Sequence, residues 1–145
     1  MVDVSDREPT LRIATATGRV TTTAEVLTAI TDGAVPKGDV AATARIAGIL
    51  GSKRTPDLIP LCHPIALHGV EVDLQVTSDA IELTSSVRTA DRTGVEMEAL
   101  TAIAVAGLTV IDMIKALDPA AALTDVKVVS KDGGRNGPWR RPDDR

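Results

Sequence analysis

Asp112 and Lys115 stand three residues apart at the end of a long apolar run, and an acid and a base at that spacing can move protons. They close the stretch Gly94-Val95-Glu96-Met97-Glu98, Ala99 to Ile111, Asp112-Met113-Ile114-Lys115, which holds no proline. Leu100, Ile103, Ala104, Gly107, Leu108, Ile111 and Ile114 recur in it at helical steps. The spacing predicts a helix from Glu98 to Leu117, buried on most sides, with Thr101, Val105, Thr109, Asp112 and Lys115 on one narrow stripe. A solvated i,i+3 pair would be worth only about 0.2–0.5 kcal/mol and needs no function. Glu96 and Glu98 at the entrance, together with the apolar surroundings, favour the wall of a site holding a partly buried acid and base. An unpaired buried charge would be strongly destabilising there.

Thr55-Pro56-Asp57-Leu58-Ile59-Pro60-Leu61-Cys62-His63-Pro64 is the second unusual segment. Its prolines stiffen the backbone, and Pro64 drives His63 toward an extended conformation, so the ring is presented rigidly. A structural histidine and a functional one both fit that setting. Zinc on Cys62, His63 and His68 is a poor fit, since a second paired-ligand motif is lacking. Lys131 to Gly137 offers backbone N–H groups and two cations, which suits an oligophosphate, although a flexible basic tail would read the same way. The loop is not a Walker motif, because Gly-Lys-Ser/Thr and its following helix are missing. Lys37 and Lys53 say little by themselves.

These residues need elements to hold them. Leu11 to Val20 reads as a first strand. Thr22 and Glu25 form a capping box for a helix over Ala24 to Thr31, stopped by Asp32-Gly33. Asp39 caps a second helix, Val40 to Leu50, closed by Gly51. Val70 to Val76 and Ile81 to Val87 alternate as a hairpin around Thr77 to Ala80. After the long helix, Thr124 to Ser130 gives the last strand. The glycine-rich loop and tail, 131–145, reads as irregular, with Arg140 to Arg145 frayed. The order βααββαβ predicts one domain over 1–145. Its fold class is an α+β, ferredoxin-like sandwich with helices on one face of a mainly antiparallel four-stranded sheet. The other face is left partly uncovered, which favours self-association.

Composition narrows the classes of function. The chain has 145 residues, enough for one core, and a formal net charge of −4, which does not favour nucleic acid. Phe and Tyr are absent and Trp139 stands alone, so a bound base would rest on polar edges and aliphatic contacts. One cysteine, Cys62, cannot form an internal disulfide. Met1 to Thr10 lacks a signal-peptide order, and the uncharged run inside the long helix is shorter than a span of about 20 residues. A cytoplasmic protein without a membrane partner is expected.

Together, Ile59-Pro-Leu-Cys-His-Pro64, Gly94-Val-Glu-Met-Glu-Ala-Leu-Thr-Ala102, Asp112-Met-Ile-Lys115, Lys37-Gly-Asp-Val-Ala-Ala-Thr-Ala-Arg-Ile-Ala-Gly48 and Lys131-Asp-Gly-Gly-Arg-Asn-Gly137 resemble the cyclic pyranopterin monophosphate synthases, the molybdenum cofactor biosynthesis accessory protein C family. The similarity runs from Met1-Val-Asp-Val-Ser5 to the glycine-rich loop. It implies a lyase acting on 3′,8-cyclised dihydro-GTP, delivered by an upstream radical enzyme, with diphosphate released. It further implies Asp112 and Lys115 as the catalytic pair. Leu61, Cys62, His63, Met97 and Glu98 would be substrate contacts, with Glu96, Lys37, Lys131 and Arg12 in the pocket. No cofactor or metal site is implied, with a magnesium ion at the phosphates left open. The family assembles as a homohexamer, a trimer of dimers with shared sites. This chain begins at the Met-Val-Asp-Val-Ser motif, has Arg-Asn where Lys-Ser is common in the loop, and has Ile111 where tyrosine is frequent. A non-catalytic guanine-nucleotide sensor, or a metal hydrolase using Glu96, Glu98 and His63, is the rival reading.

Overall fold

A computed structural model describes residues 1–142. In chain order the elements are β1 (Thr10–Thr21), α1 (Ala24–Thr31), α2 (Val40–Ser52), α3 (Thr55–Leu58), β2 (Gly69–Val76), β3 (Ala80–Asp91), α4 (Glu96–Ile114), β4 (Ala122–Asp132) and β5 (Trp139–Arg140). The sheet order is β2-β3-β1-β4-β5, with every neighbouring pair antiparallel. Its first four strands have the split βαβ order of a ferredoxin-like sheet, as the sequence predicts. The fifth strand is new: Trp139 and Arg140 pair with Lys131 and Ser130, so the glycine turn closes a hairpin. Arg140, expected to be frayed, is therefore in the sheet, whereas residues 143–145 lie outside the described part.

Alternation in β1 decides which face is covered. Ala14, Ala16, Gly18 and Val20 point toward the helices and are buried, while Ile13, Thr15, Thr17 and Arg19 line the open face. β3 repeats the pattern, with Ile81, Leu83, Ser85 and Val87 inside. Burying Val20, Ile81, Leu83 and Val87 is worth roughly 1.5–3 kcal/mol each, and α4 provides the covering surface through Ala99, Ile103, Ala106, Val110 and Ile114. α2 then crosses α4 closely, because Gly48 and Gly51 have no side chain in the way. A Cβ on Gly48 would stand 2.9 Å from the Ala102 carbonyl oxygen, and one on Gly51 would stand 2.6 Å from Val105 Cγ2. Gly51 is thus a packing residue inside the helix, which continues to Ser52, rather than the stop expected of it.

Other boundaries moved for local reasons. The N-cap of α1 is Thr23, whose hydroxyl accepts from the Val26 amide, while the Thr22 hydroxyl instead donates to Asp118 Oδ2 at 2.7 Å. α4 starts at Glu96 with no side-chain cap and ends at Ile114, short of Leu117, as the Leu117 amide donates to Ile114 O in a tighter turn. α4 is long and apolar enough to cross a membrane by composition, yet it is packed against β1, β3, β4 and α2, the setting of a core helix.

Candidate active site

The two ends of α4 carry different chemistry. At its C-terminal end, Asp112 accepts from two ammonium groups: Lys115 Nζ is 2.7 Å from Oδ1, and Lys37 Nζ is 2.7 Å from Oδ2. Lys37 also donates to the Asp112 backbone carbonyl at 2.8 Å, which ties the α1–α2 loop to the end of α4. Hydrogen bonds from Lys115 and then Lys37 hold the Asp112 carboxyl down to about 2, against an ordinary 3.8. Asp112 is therefore ionised at any working pH and the proton-bearing groups beside it are amines. The cluster is not partly buried as expected, since the Asp112 and Lys115 side chains are 56% and 59% exposed. The stripe explains this: Thr101 is buried, Val105 and Thr109 are half-buried, and the helix end has emerged from the core by Asp112.

At the N-terminal end of α4, Glu96 pairs with Lys131 of β4 at 2.9 Å. Glu98, two residues further along the helix, is only 4% exposed, and burial raises its carboxyl above the ordinary 4.5, with Glu96 adding to the rise. Leu61, Cys62, His63, Thr93, Gly94, Glu96, Met97 and Glu98 line a cleft of about 330 Å³. Burial, and then the charge of Glu98, push the Cys62 thiol up, so it is a neutral wall group rather than a thiolate. His68 has a structural place: its Nδ1 accepts from the Ala90 amide at 3.3 Å. Among the described residues no three His, Cys, Asp or Glu side chains gather as a metal site.

A second cleft, of about 670 Å³, joins Arg7, Arg12, Lys131 and Arg135 with the turn 133–137, and Asp6 and Glu8 line it as well. Gly133 and Gly134 have φ of 87° and 84°, a left-handed turn that lays the loop over the end of β1 and against the Arg12 guanidinium. Arg12 Nε donates to Thr10 Oγ1 at 2.8 Å, which holds the guanidinium at the cleft. Trp139, placed by β5, lines a third cleft with Glu96 and Lys131. All three clefts thus meet at the Glu96–Lys131 pair. Sequence reasoning placed Arg135 at a phosphate but missed Arg7, which the N-terminal arm brings to the cleft, and Trp139, which is placed by a strand only two residues long.

The structure brings Leu61, Cys62, His63, Met97, Glu98, Glu96, Lys131 and Arg12 to one end of the molecule. Asp112, Lys115 and Lys37 are at the other. Glu98 and Asp112 are fourteen positions apart on one helix, a separation of about 21 Å at about 1.5 Å per residue.

Residues 1–134 match the model of the MoaC family. The chain belongs to the MoaC family. It is 61% identical over 141 residues to the cyclic pyranopterin monophosphate synthase of Streptomyces griseus, covering 97% of this chain and 80% of that protein. Similarity extends to cyclic pyranopterin monophosphate synthase 2 of Mycobacterium tuberculosis, 56% identical over 97% of this chain and 84% of that protein. It also extends to the enzyme of that name from Thermomicrobium roseum, 51% identical over 99% and 88%. In this MoaC chain residues 61–63, 96–98, 131 and 133–137 line the clefts, and Asp112 stands at the far end of α4.

Proposed function

We propose that this chain is a cyclic pyranopterin monophosphate synthase, a lyase converting 3′,8-cyclised dihydro-GTP to cyclic pyranopterin monophosphate with release of diphosphate in molybdenum cofactor biosynthesis. The observation that carries the reading is the Asp112 carboxylate gripped between Lys37 and Lys115 at one end of the helix that carries Glu96 and Glu98 at the other. Rebuilding a purine into a pterin requires protons delivered to and taken from ring nitrogens and sugar oxygens. With Asp112 locked in its charged form, Lys115 is the proton donor and Asp112 orients it, while Lys37 fixes Asp112 from the far side. Closing a cyclic phosphate expels diphosphate, and Arg7, Arg12, Lys131 and Arg135 with the N–H groups of the glycine turn neutralise the leaving charge.

The reading requires that sites be shared. One protomer holds its acid–base cluster about 21 Å along α4 from its substrate cleft, so a complete site takes the cluster from one subunit and the cleft from another. Apolar side chains left exposed on the helical side, Ile46, Leu50, Leu58, Leu108 and Leu117, supply surface for such an assembly. We place the enzyme as a homohexamer, a trimer of dimers, in the cytoplasm, supplied by an upstream radical enzyme. No resident cofactor is part of the reading, and a magnesium ion would arrive with the phosphates.

The test is to incubate the chain with enzymatically made 3′,8-cyclised dihydro-GTP and follow diphosphate release and oxidised-pterin fluorescence. Lys115→Ala and Asp112→Asn should each reduce turnover by about 10²- to 10⁴-fold with the fold intact. Near-normal turnover by folded Lys115→Ala overturns the assignment. Tight binding without product by the unaltered chain would point to a nucleotide sensor instead.

A further inference from the structure

The first residues of the chain lie against His63, and the function proposed above makes no use of them. The Val2 backbone carbonyl oxygen is 2.8 Å from His63 Nε2. A carbonyl only accepts, so Nε2 carries the hydrogen and donates it. Three other contacts shape this arm. Asp3 Oδ1 accepts from the Ser5 amide at 2.9 Å, the Arg7 amide donates to Val4 O at 3.1 Å, and Arg92 Nε donates to Arg7 O at 2.8 Å. The Asp3 carboxyl is held below its ordinary range chiefly by the Ser5 amide, so the turn carries a fixed negative charge.

The arm adds little to the core, since Met1 and Val2 are 72% and 68% exposed. Its placement is what matters. Residues 1–5, 63–65 and 91–93 line one cleft, of about 440 Å³. His63 and Thr93 also line the neighbouring cleft with Glu96 and Glu98. His63 is the partition between the arm and the cleft assigned to the substrate.

We propose that Val2, through its carbonyl, and Asp3, through the turn it shapes, are positioning residues that hold the His63 ring in one rotation and in its Nε2–H tautomer. In the neutral ring that tautomer leaves Nδ1 as an acceptor for a hydrogen on the substrate. The inference rests on the reading of His63 as a substrate contact. A strap that merely tidied the chain end would leave ring tautomer and turnover alone.

Two variants test it: deletion of Val2–Val4, and Asp3→Ala, which removes the turn but keeps the chain length. The chain has two histidines, so ¹⁵N shifts of both imidazoles can be assigned, and His68, fixed by the Ala90 amide, is the internal control. In both variants His63 should pass from a single Nε2–H form to a tautomer mixture while His68 is unchanged. kcat/KM should fall by about 10- to 100-fold with Tm nearly constant. Unchanged His63 shifts in both variants overturn the proposal, and so does a tautomer mixture with kcat/KM within about twofold of the unaltered chain. The two readings fail separately. Absence of turnover by the unaltered chain removes the synthase assignment and the catalytic part of this proposal, and the shifts still decide whether the arm holds the ring.

Discussion

Two carboxylates on one helix have been driven in opposite directions by their surroundings. Asp112 is solvated and gripped by two ammonium groups, which brings it to about 2, whereas Glu98 is enclosed and raised above 4.5. Such divergence is how a site separates fixed charges from proton carriers. The sign of the stability effect differs accordingly. Asp112, depressed in the fold, contributes stability that is present above its ordinary 3.8 and lost as pH falls toward about 2. Glu98, raised in the fold, binds its proton more tightly folded than unfolded, so stability declines as pH climbs from 4.5 through its folded value. Glu98→Gln, neutral at every pH, should therefore raise Tm at pH 7. The gain should vanish below about pH 4.5, where glutamate is already protonated in both states. Calorimetry at pH 4 and pH 7 reads both, and an unchanged Tm at pH 7 would mean that burial does not penalise this charge. If Glu98 contacts the substrate, the same variant loses turnover while gaining stability, a trade expected where function keeps a charge in an unfavourable place.

At the scale of elements, close approach of α2 to α4 sets where Lys37 meets Asp112. Pulling α2 onto α4 places Asp39, its N-cap, and the preceding Lys37 beside the C-terminal end of α4, where Lys37 reaches Asp112. Gly48→Ala tests that geometry. Alanine favours a helix by about 1 kcal/mol over glycine. Here its Cβ would meet the Ala102 carbonyl oxygen at 2.9 Å and Ala106 and Val72 carbons at 3.2 Å. The neighbours include a helix backbone that cannot easily yield, so we expect a net loss of about 1–3 kcal/mol, measured as a lower urea midpoint at unchanged m. A stabilised variant would show that the helices can part freely. The same glycines explain what was legible in the sequence. Caps and stop residues revealed α1 and α2, while periodicity revealed α4 and the four long strands, because alternating or helical burial leaves a repeating mark. The stop reading failed at Gly51, since packing against Val105 and terminating a helix both ask for glycine. α3 and β5 are too short to leave a period, and β5 is held by pairing with Lys131 and Ser130, residues distant enough that only the closed turn brings them together.

For the whole molecule, the dominant feature is the separation along α4 of the Asp112 cluster from the clefts around Glu96 and Lys131. The sequence suggested that Asp112 and Lys115 sit in an apolar wall, and a single protomer leaves them more than half exposed. An exposed ion pair is worth at most about 1 kcal/mol, so stability alone gives little reason for three charged groups to converge there. A neighbouring subunit's cleft laid over them would supply the reason, removing water and strengthening every charge in the cluster. This arrangement makes a prediction that no single-chain site shares. Lys115→Ala disables the cluster and Lys131→Ala disables the cleft, so each homo-oligomer should be inactive. Co-expressed in equal amounts, the two chains would form hetero-oligomers in which about one quarter of the sites combine an intact cluster with an intact cleft, if each site draws the two parts from different subunits. Recovered turnover near that fraction, rising and falling with the ratio of the two chains, supports the shared site. If each site were built within one chain, no mixture of the two variants could contain an intact site, and activity would stay at the level of the variants alone.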